Sequence, residues 1–158
     1  MIETLEKSIC PPKLKKLIDS TISKLNADCT NLLGRNFGIS KPNCEISTLS
    51  EFIEKNDGNY FLIKSELDKF YQGEIYTILT LKDAIKIGGT LLGFDESEIK
   101  KKMEKEELDA DCTEHVTEFS GQFSATIGSA LKNKLPKPVH VNLLSCTAIN
   151  KDNASDIL

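Results

Sequence analysis

Apolar residues return at helical spacing from the start of the chain's first regular segment. Leu14, Leu17, Ile18, Ile22, Leu25, Cys29, Leu32 and Leu33 hold one side of a helix for about five turns. Pro11 and Pro12 open it, where a missing N–H costs nothing, and Gly34 supplies a C-terminal stop. Its polar side carries Asp19, Ser23, Asn26 and Thr30. Residues 36–48 alternate weakly (Phe37, Ile39, Cys44, Ile46) around Pro42, which predicts an edge strand. A short helix or turn near Ser50–Glu54 leads into the turn signal Asn56-Asp57-Gly58-Asn59.

Two strands follow, Tyr60–Leu67 and Glu74–Leu81, joined as a hairpin near Gln72-Gly73. A helix begins at Lys82-Asp83, with Ala84, Ile85, Ile87, Leu91 and Leu92 as its apolar side, and ends at Gly93. Gly88-Gly89 within it reads as close packing against the sheet. The charged segment Asp95–Leu108 is expected to be helical, with Glu96–Lys100 and Glu98–Lys102 pairs at i, i+4.

Thr113–Leu135 carries two patterns at once. Val116, Phe119, Phe123, Ile127 and Leu131 form one apolar stripe, while Glu114, Glu118, Gly121, Gln122, Ala125 and Ser129 lie on the other side. A solvated helix face favours Lys, Glu and Gln, whereas Gly121, Ala125 and Ser129 are short. Gly121 costs such a helix about 1 kcal/mol relative to Ala. A stripe of this kind makes sense where another protein lies against it.

Pro136 and Pro138 end the pattern, and Val139–Ile149 alternates as a last strand. The order predicts an α+β fold, helices packed on a mainly antiparallel sheet. Residues 1–149 form one domain, and residues 150–158 read as a polar tail without a partner. A lone last strand would ordinarily return as a hairpin, so the natural C-terminus is expected to lie further on. Unpaired edge strands in such a sheet leave homodimer pairing open.

Composition narrows the function classes. At 158 residues and 39 % apolar, the chain can bury one core. A net charge of −4, with lysines spread along the sequence, excludes the concentrated basic face that nucleic acid requires. Lys100-Lys101-Lys102 is offset at once by Glu104, Glu106 and Glu107. No segment approaches the roughly 20 apolar residues that cross a bilayer, and no signal-peptide pattern opens the chain, so no membrane association is expected. Five cysteines at irregular spacing, without a CxxC pair, argue for a reduced, cytoplasmic protein whose thiols are small core hydrophobes. His115 and His140 have no second ligand at a familiar interval. Neither a nucleophile elbow nor a phosphate loop occurs.

Gly73-Glu-Ile-Tyr-Thr-Ile-Leu-Thr-Leu-Lys-Asp-Ala84, Ile87-Gly-Gly-Thr-Leu-Leu-Gly93 and Glu118-Phe-Ser-Gly-Gln-Phe-Ser-Ala-Thr-Ile-Gly-Ser-Ala-Leu131 resemble the CheC, CheX and FliY family. This family comprises bacterial chemotaxis phosphatases and their flagellar-switch relatives. The resemblance implies a pseudo-duplicated α+β fold and a phosphorylated CheY-like receiver domain as partner. The family's signature is Asp or Ser, three residues, Glu, two residues, Asn. Its Glu pairs with a lysine of the receiver and its Asn orients the attacking water. No cofactor belongs to the phosphatase itself, because the Mg2+ sits in the response regulator. Positioning a water is most of what this reaction needs.

Here Glu114 and Glu118 match the acidic positions of the second copy, but Gly121 stands where Asn is expected. In the first helix Asp19 and Asn26 match, and Ser23 replaces Glu. On this resemblance Glu118, Gln122 and Asn26 are the catalytic candidates, with Gln122 rotated about 100° from position 121. Glu114, Gly121, Ala125, Ser129, Asp19 and Ser23 are the partner-binding candidates. The alternative is a non-catalytic scaffold or flagellar-switch interaction domain. A third reading is a structural domain sharing only the fold.

Overall fold

The computed structural model of the chain describes residues 10–40 and 47–157. Its elements are α1 (Pro12–Leu33), α2 (Leu49–Lys55), β1 (Tyr60–Lys69), β2 (Glu74–Thr80), α3 (Leu81–Leu91), α4 (Glu96–Lys105), α5 (Ala110–Lys132), β3 (Val139–Ile149) and α6 (Ala154–Ile157). Their arrangement is the expected α+β one, with helices on a three-stranded antiparallel sheet of order β2-β1-β3. The hairpin pairs Tyr60 with Thr80 and Glu66 with Glu74. On the other side of β1, Tyr60 pairs with Ile149 and Leu67 with Val141. A register shift between Lys64 and Ser65 leaves Leu144 as the extra residue of a bulge in β3.

Alternation along the strands divides the sheet into two faces. On one, Phe61, Ile63 and Val141 meet Leu25 and Cys29 of α1, Ala84 and Ile87 of α3, and Val116, Phe119, Phe123 and Ile127 of α5. On the other, Leu62 and Ile149 meet Ile53 of α2 and Ala154 of α6. The segment after β3 is therefore not a partnerless tail. Alanine at 154 is small enough to be buried, and Ile157 packs against the same cluster.

Helix starts are fixed by caps that move several predicted boundaries. Thr80 accepts a hydrogen bond from Asp83 N at 3.1 Å, so Leu81 opens α3 instead of closing β2. Asp95 caps α4 through Glu98 N at 2.8 Å, and Glu106 ends it in the left-handed region, short of Leu108. Asp109 caps α5 through Cys112 N at 2.8 Å, which starts that helix three residues before Thr113. Lys102 pairs with Asp109, not with Glu98, and so ties α4 to the start of α5.

Residues 36–40 form no strand. The Asn26 side chain bonds both the N–H and the C=O of Ile39, and Thr30 does the same for Phe37. Main chain that would pair in a ladder is thus satisfied by side chains of α1, and residues 41–46 of the predicted strand lie outside the described residues. The thiol expectation holds for Cys29 and Cys112, which are free and buried, and for Cys146, which is free and half-buried. Cys10, by contrast, is disulfide-bonded. Burial, aided by Asp28, pushes the Cys29 thiol up to about 11. The same effect, aided by Asp109, takes Cys112 to about 11, so neither is a thiolate at neutral pH.

The two adjacent glycines of α3 are packing residues, though their neighbours are helices and not the sheet. A Cβ on Gly88 would lie 2.7 Å from the Cys112 carbonyl oxygen of α5, and one on Gly89 would lie 2.9 Å from Ile99 of α4. Gly88→Ala must push α3 away from α5. The expected loss is about 1–3 kcal/mol, read as a fall in Tm of roughly 2–4 °C per kcal/mol.

Lys102 and the Cys112 N–H together hold the Asp109 carboxyl below the ordinary aspartate value. Its contribution is therefore complete above the unfolded-state value and is lost as pH falls through the lower folded-state one. Asp109→Ala is expected to cost about 1 kcal/mol at pH 7. In urea titrations the gap from wild type should narrow as pH drops below about 3.9.

Candidate docking face on helices α1 and α5

Helix α5 is buried on two adjacent sides, which the single apolar stripe did not predict. Besides Val116, Phe119, Phe123 and Ile127, the small residues Ser120, Ser124 and Gly128 are buried. The Ser124 hydroxyl donates to the Ser120 carbonyl at 2.9 Å and contacts the Ser65 hydroxyl of β1 at 2.8 Å. A Cβ on Gly128 would lie 3.3 Å from Val141 N, so the helix rests directly on β3. Only the remaining side faces outward. Glu114, Glu118, Gln122, Ala125 and Ser129 are exposed there, and Gly121 is half-buried beside them.

Helix α1 lies against α5 and buries Leu25 and Cys29. That contact is its main one, and Leu14 and Leu32 remain exposed at 44 % and 45 %. Asp19 and Ser23 are exposed, and the Ser23 hydroxyl donates to the Asp19 carbonyl at 3.0 Å. Asn26 is half-buried, with Ile39 N donating to its Oδ1 at 2.8 Å and its Nδ2 donating to Ile39 O at 3.4 Å. The amide read from the sequence as a water-positioning group is thus engaged by main chain.

The seam between the helices opens into a cleft of about 400 Å3 lined by Asp28, Cys29, Asn31, Gln122, Phe123 and Thr126. Asp28 pairs with Lys24 at 2.9 Å, and the Thr126 hydroxyl reaches Asp28 Oδ2 at 3.4 Å. The structure brings Gln122 to this cleft, and Glu118 lies one turn away on the same helix. Asp28 and Thr126 were not singled out from the sequence. Thr126 lies four residues after Gln122, so helical spacing places it on Gln122's side.

No group of three or more His, Cys, Asp or Glu side chains among the described residues could hold a metal ion. His115 Nδ1 lies 2.9 Å from the Asp111 carbonyl, one turn back on its own helix. No helix among the described residues is long and apolar enough to cross a membrane. The face presents two carboxylates, an amide and short side chains. It holds no thiolate and no metal cluster.

No protein-family model matches the chain, and no curated protein matches its sequence. Solved structures do match. FliY of Thermotoga maritima superposes with a TM-score of 0.76 at 18 % identity, covering 92 % of this chain and 73 % of that one. The FliM middle domain of Vibrio alginolyticus superposes with a TM-score of 0.64 at 10 % identity, covering 86 % of this chain and 72 % of that one. At these identities the likeness is one of fold, and it is the fold that the resemblance to CheC, CheX and FliY proteins implied.

Proposed function

We propose that this chain is a docking domain for a CheY-like receiver or a flagellar-switch component, and that it does not hydrolyse the partner's acyl phosphate. The partner lies on the exposed side of α5 and the adjoining surface of α1. The observation that carries this reading is the state of the two signature positions. Asn26 has the right spacing, but its amide is engaged by Ile39. Gly121 has the right place on α5 and no side chain at all. Gln122 carries an amide, yet it points about 100° away around the helix. In the signature of the resembled family, the attacking water is positioned by an amide three residues after the docking carboxylate, which here is position 121. Gln122 shares Glu118's face one turn on but lies on the other side of it from position 121, so neither helix supplies a free amide at the signature position. Glu114 and Glu118 remain to meet a basic side chain, and any Mg2+ belongs to the partner.

Gly121 also supports a contact made by the partner's close approach. A Cβ built on it would meet nothing nearer than Leu143 Cδ2 at 4.0 Å, so internal packing does not require glycine there. Gly121→Ala should raise stability by about 0.5–1 kcal/mol in thermal melts. The same substitution should weaken partner binding severalfold in titration calorimetry.

The activity test uses phosphorylated CheY-type receiver domains. The phosphate should decay at the same rate with and without wild-type protein, while Gly121→Asn should accelerate it by restoring the amide. Wild-type acceleration of tenfold or more, abolished in Glu118→Ala, would overturn the non-catalytic reading.

A further inference from the structure

The cleft between α1 and α5 holds acceptors that the chain itself leaves unused. Asp28 is half-buried in its wall, and both contacts of its carboxylate fall on one oxygen. Lys24 Nζ lies 2.9 Å from Oδ2, and the Thr126 hydroxyl reaches the same atom at 3.4 Å. Oδ1 has no hydrogen-bond donor among the described residues. Asn31 and Gln122 are exposed at the rim, and neither side-chain amide is hydrogen-bonded among the described residues. Beneath these groups Cys29 and Phe123 form a buried floor. That floor is uncharged, because burial keeps the Cys29 thiol protonated. Leu32, 45 % exposed, forms an apolar wall.

We propose that this cleft receives an arginine side chain of the docking partner. The inference rests on the outward face of α1 and α5 being the docking face, and it names what the partner brings there. Charge is the first selector. The Asp28 carboxylate favours a cation, and Lys24 answers it only through an exposed i, i+4 contact on one helix, a pairing that is weakly held. An anionic occupant would be repelled by Asp28 and by Glu118, one turn from Gln122. A purely aliphatic one would strip water from the carboxylate and both amides without replacing it. The spread of acceptors is the second selector. Asp28 Oδ1 and the Asn31 carbonyl oxygen come from α1, and the Gln122 carbonyl oxygen comes from α5. A guanidinium offers five N–H donors in a planar fork and can serve acceptors on both helices together, whereas an ammonium is a compact, strongly hydrated point charge. Shape is the third. A cleft of about 400 Å3 admits the whole side chain, with its apolar stem along Leu32 and its weakly hydrated planar head over the uncharged floor.

N-acetyl-arginine methylamide titrated into the isotope-labelled full chain should give saturable amide shifts at Asp28, Asn31, Gln122 and Thr126. The citrulline analogue keeps the shape and lacks the charge, and should give none. The lysine analogue should bind roughly threefold more weakly or worse. Asp28→Asn should abolish the arginine response at a nearly unchanged Tm. Lys24→Gln removes the competing ammonium and should strengthen the response about twofold. Arginine shifts matched by citrulline, no saturable shift up to about 100 mM, or a full response in Asp28→Asn would overturn the proposal. Titration of a CheY-type receiver separates this inference from the docking reading on which it rests. Equal receiver affinity for wild type and Asp28→Asn would keep the docking reading and overturn the arginine site. A receiver that fails to bind wild type, while the arginine probe still seats in the cleft, would remove the receiver as partner and support the specificity of the cleft.

Discussion

The rest of the structure depends on how closely α5 can lie on the sheet. A 23-residue helix with a single apolar stripe would touch its support along one line. Ser120, Ser124 and Gly128 add a second line, because their side chains are short enough for the helix backbone to approach β3 and β1. The serines are buried, so their hydroxyls need partners, and they find them in helix carbonyls and in Ser65. Gly88 does the same on a third front, bringing α3 against Cys112. Each close approach depends on a missing or minimal side chain. Together they fix the rotation of α5 about its axis, and that rotation decides which residues face outward.

That constraint explains what could be read from sequence and what could not. The long periods of α1 and α5, the Asn-Asp-Gly-Asn turn and the hairpin were legible because each is specified by local spacing. The outward set Glu114, Glu118, Gln122, Ala125 and Ser129 was legible because it is the complement of the stripe Val116–Ile127. The serine seam was not, since serine reads as polar and only contact with Ser65 shows why it is buried. Asn26 is a similar case. Its fit to a signature spacing is a property of one helix, while its engagement by Ile39 depends on a segment thirteen residues away. Residues 36–40 alternate like a strand, but the side chains of Asn26 and Thr30 answer their main-chain groups. The end of the chain was misread because Ala154 and Ile157 make contact with Ile53 and Leu62, distant in sequence.

The fold shared with FliY and the FliM middle domain sets α1 beside α5, and the side chains say how their outward face is equipped. Carboxylates and short residues lie on that face, while of the two signature amide positions Asn26 is tied to main chain and Gly121 has no side chain. In the proposed function, docking and hydrolysis separate for a physical reason. Docking needs charge and close approach, which Glu114, Glu118, Gly121 and Ala125 provide over several turns. Hydrolysis by the resembled family's signature adds one group at one angle, an amide at position 121. Loss of a single side chain can remove the second and leave the first.

The most direct measurement of this account is an amide chemical-shift map of the chain as a CheY-type receiver, locked with a fluoroberyllate acyl-phosphate mimic, is titrated in. The account predicts perturbations centred on Glu118, Gly121, Gln122 and Ala125, spreading to Asp28 and Asn31 of α1. Perturbations confined to α2, α6 or the hairpin turn, or none at saturating receiver, would contradict it.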